Sequence, residues 1–226
     1  MKQFKKFAVL GILFILPIVA YLFFASGVNN FAKLPVLSEQ IAALPGTKAL
    51  PIPPLSSVQV LDSAALNDRI TILGFLGNKV DQNSGYAFNL NQKIYKYFFE
   101  FKDFQFVSVL PLGQEEEALR LREELGAITD MSKWRFIFAE PEEIENFFNS
   151  LQTDVALDQD LSTPYVFIID KDGNLRGRSQ DDDGETLYGY DTSSVAVLGD
   201  KMKDDVKIIL AEYRLALKKN TADRKK

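Results

Sequence analysis

The sequence predicts an α/β sandwich built on a mixed sheet. Three observations carry that expectation. Short apolar runs rich in Val, Ile and Phe alternate with helical patterns from Arg69 onward, as repeated βα units require. The last two runs are joined by the turn Asp170–Gly173, so they pair antiparallel within a sheet that is otherwise parallel. One amphipathic helix then closes the chain, with Val206, Ile209, Leu210, Tyr213 and Leu217 at helical spacing.

The elements follow in order. Phe7–Phe24 has 18 residues without a charge and is preceded by Lys2, Lys5 and Lys6. As a helix it spans ~27 Å, close to the hydrocarbon thickness of a bilayer, so it is expected to cross the membrane. The lysines place residues 1–6 in the cytoplasm and the rest on the far side, anchored in the inner (cytoplasmic) membrane with a periplasmic domain. A cleaved signal peptide, with Ala25–Gly27 as the exit site, is the competing reading. Its apolar region exceeds the usual ~7–15 residues, which favours the anchor. Residues 25–54 hold five prolines and little periodicity, the composition of a linker. A single domain is expected over 55–220, and a basic tail over 221–226.

Within the domain, Val58–Leu61 reads as a short strand and Arg69–Phe75 as a buried one, ending in the Gly-rich stretch Gly74–Asn78. A helix is predicted from Tyr86 to Phe99, capped by Asn83 or Ser84. Phe104–Leu110 is the next strand, stopped by Pro111. Glu115–Leu125 is a helix whose three leading glutamates suit its dipole. Trp134–Ala139 is a strand, and Pro141–Leu151 a helix opened by proline at its first position. Tyr165–Ile169 and Asn174–Arg178 form the hairpin, and the final helix runs from Lys201 to Lys218. The aromatic run Tyr95, Tyr97, Phe98, Phe99, Phe101, Phe104 and Phe106 is read as core.

Composition removes whole classes of chemistry. There is no cysteine, so disulfide exchange is excluded, and no histidine, so zinc, copper and haem sites of the usual kinds go with it. A net charge of -5 gives no reason to expect nucleic acid as a partner.

Three segments nevertheless resemble a family built around thiols. They are ILGFLGN (Ile72–Asn78), WRFIFAEPEEIENFF (Trp134–Phe148) and YVFIIDKDGNLR (Tyr165–Arg176), preceded by Ser162, Thr163 and Pro164. Together with the anchor, they resemble the Sco (SenC) proteins, membrane-anchored members of the thioredoxin-fold superfamily that help assemble the copper centre of cytochrome oxidase. The Thr163-Pro164 step more closely resembles periplasmic thiol reductases and peroxiredoxins. The resemblance implies a thioredoxin-like mixed sheet flanked by helices, with Pro164 beside the loop 77–82 and Thr163 near Asn78. Sco proteins carry GF-x-x-C-x-x-x-C and a late histidine. Laid on Gly74-Phe75, the cysteines fall on Asn78 and Gln82, and the histidine falls on about Ser162. Neutral Asn, Gln and Ser are poor Cu(I) ligands. What remains is a redox-inactive scaffold whose region Asn78, Gln82, Ser162, Thr163 and Pro164 binds a protein partner of the envelope. No catalytic residue and no cofactor are expected.

A separate possibility is oxygen chemistry. Asp181, Asp182, Asp183 and Glu185 form a carboxylate cluster that would suit Ca²⁺, or hydrolysis by paired carboxylates, though without EF-hand spacing. Acidic loops are more often only solvated. Ser193 and Ser194 have no histidine or lysine beside them and are not candidate nucleophiles.

Overall fold

A computed structural model describes residues 11–22, 33–43, 48–49, 66 and 68–223. Residues 11–22 form a helix, α1, with its apolar side chains exposed. The ends of the expected span Phe7–Phe24 and the expected strand Val58–Leu61 lie outside the described residues. No helix among the described residues is long and apolar enough to cross a membrane.

Among the described residues eight strands form one sheet, in the order β1 (Val36–Ser38), β7 (Leu175–Arg176), β6 (Ser162–Ile169), β3 (Ile70–Leu76), β4 (Phe104–Pro111), β5 (Trp134–Ala139), β2 (Lys48–Ala49), with β8 (Tyr190–Asp191) beside β6. Its centre is parallel: β3 (Ile70–Leu76) pairs with β4 (Phe104–Pro111), and β4 with β5 (Trp134–Ala139). Both β3 and β4 are buried along their whole length, because helices cover both faces. On the other side of β3 the direction reverses. β6 (Ser162–Ile169) runs antiparallel to β3, and β7 (Leu175–Arg176) antiparallel to β6. A parallel βαβ half followed by an antiparallel ββα half is the thioredoxin-like arrangement.

Alternation along each strand divides the core in two. Ile70, Ile72, Phe104, Phe106, Trp134 and Phe136 face α2 (Val80–Leu90), α4 (Glu115–Gly126) and α6 (Lys203–Asp223). Leu73, Phe75, Val107, Ile137 and Phe167 face α5 (Pro141–Asn149). Pro141 opens α5 as expected, supported by a capping box between Glu140 and Glu143. The aromatic run divides as its periodicity suggests. Tyr95, Phe98, Phe104 and Phe106 are buried, with Tyr95 edge-on to Phe106 at 4.8 Å. Tyr97 and Phe101 are exposed, and the Lys203 ammonium lies 3.6 Å over the Tyr97 ring.

Several boundaries differ from expectation for identifiable reasons. The first helix of the domain starts at Val80, six residues before Tyr86, because Val80 joins the core. Neither Asn83 nor Ser84 caps it. Asn83 reaches back to the Leu76 carbonyl instead, at 2.9 Å. Beyond Leu90 the axis continues through a π-helical stretch, Asn91–Tyr95, into the short α3 (Lys96–Phe98). A second such stretch, Val197–Met202, leads into α6, which continues to Asp223 and so takes in the start of the expected basic tail. The expected linker supplies two edge strands. β1 (Val36–Ser38) pairs with β7, and β2 (Lys48–Ala49) with β5. The loop before α6 contains β8 (Tyr190–Asp191), pairing with Tyr165 and Val166 of β6. Strands of two or three residues lack the repeats that periodicity detects.

Candidate functional site

The candidate site lies where β3 ends and β6 begins. β3 stops at Gly77, whose φ of +68° is easy only for glycine. Space demands glycine as well: a Cβ there would lie 2.3 Å from the Asp160 carbonyl oxygen and 2.7 Å from the Ser162 Cβ. The close approach lets the Asn78 N–H donate to the Asp160 carbonyl at 2.8 Å. In the same register Leu76 pairs with Ser162 and Phe75 with Thr163. The two stretches named by the sequence, 78–82 and 162–164, are therefore brought together across more than 80 positions. Ser162 and Thr163 are buried, Pro164 is half-buried, and Asn78 is exposed. Gln82 stands exposed in α2, one turn on from Asn78.

Two acidic residues that the sequence did not single out organise this corner. One oxygen of Asp158 accepts the N–H groups of Asp160 and Ser162 at 2.9 and 2.8 Å, and the other accepts the Ser162 hydroxyl at 2.7 Å. Burial would raise the Asp158 carboxyl, but these hydrogen bonds hold it below the usual carboxylate range. Asp160 pairs with the Lys79 ammonium at 2.6 Å, and that hydrogen bond and charge raise the lysine. Leu161, between Asp160 and Ser162, has a φ of +62°, an unusual conformation for a branched side chain and one that this clamp holds. The Asp158-x-Asp160-x-Ser162 spacing, a run of self-bonding residues before a strand, was the available signal.

Thr163 and Pro164 are backed from the other side. The Pro164 carbonyl accepts both the N–H and the hydroxyl of Thr192, at 2.9 and 2.6 Å. In front of Pro164 and Tyr165 lies an open groove of about 450 Å³, walled by Asp154–Ala156 on one side and by Glu185, Leu187 and Tyr188 on the other. This groove joins the two regions the sequence treated separately, since Asp181 and Asp183 also border it.

The carboxylate cluster does not form an oxygen cage. Asp181 is bonded to Arg178 at 3.0 Å and to Lys201, so cations already satisfy it, and although burial would raise it these bonds hold its carboxyl low. Asp182 points to solvent, within 3.5 Å of Lys201. Asp183 accepts the Glu185 N–H, closing a turn. No group of three acidic side chains able to hold a metal ion occurs among the described residues. Arg178 also grips Asp205 through two nitrogens, at 2.7 and 3.2 Å, and Tyr190 donates to Asp205 at 2.7 Å. Burial first, and Asp205 second, push the Tyr190 hydroxyl far above its ordinary range, so it remains a donor. This network fastens the loop 179–189 to α6. Ser193 donates to Asp191 at 2.6 Å, and Ser194 accepts the Val197 N–H, so both hydroxyls shape the entry to the last helix.

Chemically, the corner offers hydrogen-bonding groups, a proline wall and an acidic groove, and, in a chain without cysteine or histidine, no thiol or imidazole.

No protein-family model matches the chain, and no curated protein matches it. Solved structures do. A protein of Aquifex aeolicus VF5 described as a candidate for electron transfer is 16% identical, with 76% of this chain and 92% of that one covered, at a TM-score of 0.48. The thioredoxin domain of a thiol-disulfide oxidoreductase from Bacteroides vulgatus is 15% identical over 75% and 98%, at 0.45. Arabidopsis thaliana ScoI with copper bound is 16% identical over 63% and 86%, at 0.38.

Proposed function

We propose that this protein is a membrane-anchored, redox-inactive, thioredoxin-like (Sco-like) domain that serves as a binding or assembly factor in the cell envelope, with cytochrome oxidase assembly as the first pathway to examine. One observation carries the reading. The corner between β3, α2 and β6 is built to close tolerance, with Gly77 and Asp158 dedicated to it, yet Asn78, Gln82 and Ser162 stand where the Sco resemblance would put two cysteines and a histidine. A corner held so firmly without a reagent fits recognition better than turnover. The apolar, lysine-flanked stretch Phe7–Phe24 supports anchoring in the cytoplasmic membrane with the domain outside.

Affinity purification of the full chain from detergent-solubilised envelopes tests the reading. Respiratory-oxidase subunits should be recovered with the wild type and depleted with Thr163→Lys, which places a long charged side chain in the buried wall. Equal recovery with both proteins would overturn it, as would tight Cu(I) uptake by the purified chain.

A further inference from the structure

Between α5 and β6 the chain bends at Asp154 and then runs through residues 155–157 outside any helix or strand, with no strand pairing it among the described residues. From Thr153 to Leu157 exposure alternates residue by residue. Val155 and Leu157 pack on the core face that holds Phe75 and Phe167, while Asp154 and Ala156 face outward. That alternation is the signature of extended backbone. Yet none of the N–H groups of Asp154, Val155, Ala156 and Leu157 meets an acceptor among the described residues. Among the described residues, of their carbonyls only that of Val155 is engaged, by the Thr153 hydroxyl at 3.5 Å. A core strand leaves no such row of groups open.

The surroundings leave room beside it. The groove of about 450 Å³ lies along one side of Val155 and Ala156, and a second of about 270 Å³ lies between them and Glu145 and Asn149 of α5. Among the described residues no lysine or arginine lines either groove. The larger one carries Asp154, Asp183 and Glu185, none of which has a cationic partner among the described residues. Asp181 differs, being neutralised by Arg178 and Lys201.

We infer that the larger groove takes an extended, lysine- or arginine-bearing segment of a partner protein, which adds itself as a strand alongside residues 154–157. Backbone pairing would supply affinity, as in other cases where a peptide extends a sheet edge. The carboxylates of Asp183 and Glu185 would select cationic side chains and reject acidic ones. Tyr165 and Tyr188 give the floor and far wall apolar surface for the lysine or arginine stems. The inference rests on the binding-factor reading and specifies the chemistry of its partner.

The test uses the full chain in detergent micelles and a dye-labelled, end-capped heptapeptide of alternating lysine and valine, followed by fluorescence anisotropy. A counterpart with glutamate for lysine serves as the control. Saturable binding of the lysine peptide is expected, weakening as salt is added. Asp183→Lys/Glu185→Lys, both on the exposed loop, should weaken it by roughly tenfold or more, and the glutamate peptide should not bind. Amide exchange on the saturated complex should slow within residues 154–157. Failure to bind the lysine peptide, equal binding of the glutamate peptide, an unaffected double variant, or unchanged exchange at 154–157 would each overturn the inference. If the same preparations still recover a partner in a Thr163-dependent way, the failure belongs to this inference alone.

Discussion

Gly77 is the residue on which the corner depends most directly. A Cβ at this position would need both a left-handed backbone and space already held by Asp160 and Ser162. Gly77→Ala should therefore destabilise the protein by about 2–4 kcal/mol, combining backbone strain with a shift of the facing strand. Urea unfolding followed by Trp134 fluorescence measures it. Asp158 gives a pH-dependent counterpart. Its carboxyl is held below the usual range in the folded state, so its contribution is present above the unfolded value of about 4 and is lost as pH falls through the lower folded value. The stability gap between wild type and Asp158→Ala should be full at neutral pH and close as the solution is acidified below about pH 4. A gap that is constant with pH would show that the hydrogen bonds to Asp158 do not depend on its charge. The sequence identified Asn78, Gln82 and Ser162–Pro164 through a resemblance, but Lys79 escaped it because its pairing with Asp160 exists only in the folded register, and Asp158 because its local bonds lie in a spacing that the resemblance does not include.

At the scale of elements, the loop 179–189 illustrates how a charged cluster can mislead. Four carboxylates in five residues suggested a cation site, while the one with a buried side chain, Asp181, is already held by Arg178 and Lys201, which lie in a hairpin strand's continuation and a helix entry. The loop is held by Asp205, which is buried and shared between Arg178 and Tyr190. Asp205→Ala should cost about 2–3 kcal/mol, since it leaves the buried Tyr190 hydroxyl without its acceptor and the half-buried Arg178 with Asp181 as its remaining carboxylate. Limited proteolysis should then cut within 179–189 before the rest of the domain. Protection equal to wild type would mean that β8, and not the ion-pair network, fixes the loop. The helices and long strands were legible because their apolar periods repeat. The short strands β1, β2 and β8 were not, because two or three residues carry no period and derive their conformation from the edges they join.

At the scale of the whole molecule, composition settled what the domain is unable to do, and the order of its elements settled the fold. A chain without cysteine or histidine has no thiol or imidazole to offer at the end of β3, whatever the scaffold around it. The mixed sheet was foreseeable from strand–helix alternation and one tight turn, whereas the groove was not, since it arises from a partnerless segment and a distant loop meeting across β6. The anchoring proposed for Phe7–Phe24 is checked by protease treatment of intact and lysed spheroplasts. The domain should be digested in intact spheroplasts, and digestion only after lysis would place it in the cytoplasm.

The corner between Asn78, Gln82 and Pro164 is proposed as a contact surface that works without electron transfer. The most direct measurement is site-specific photo-crosslinking in living cells, with a benzophenone amino acid placed at Gln82 or Tyr165 at the corner, or at Glu123 on the exposed side of α4. A discrete light-dependent adduct from Gln82 and Tyr165, and none from Glu123, is the predicted result. The absence of any adduct at the corner, or the same adducts from all three positions, would contradict the account.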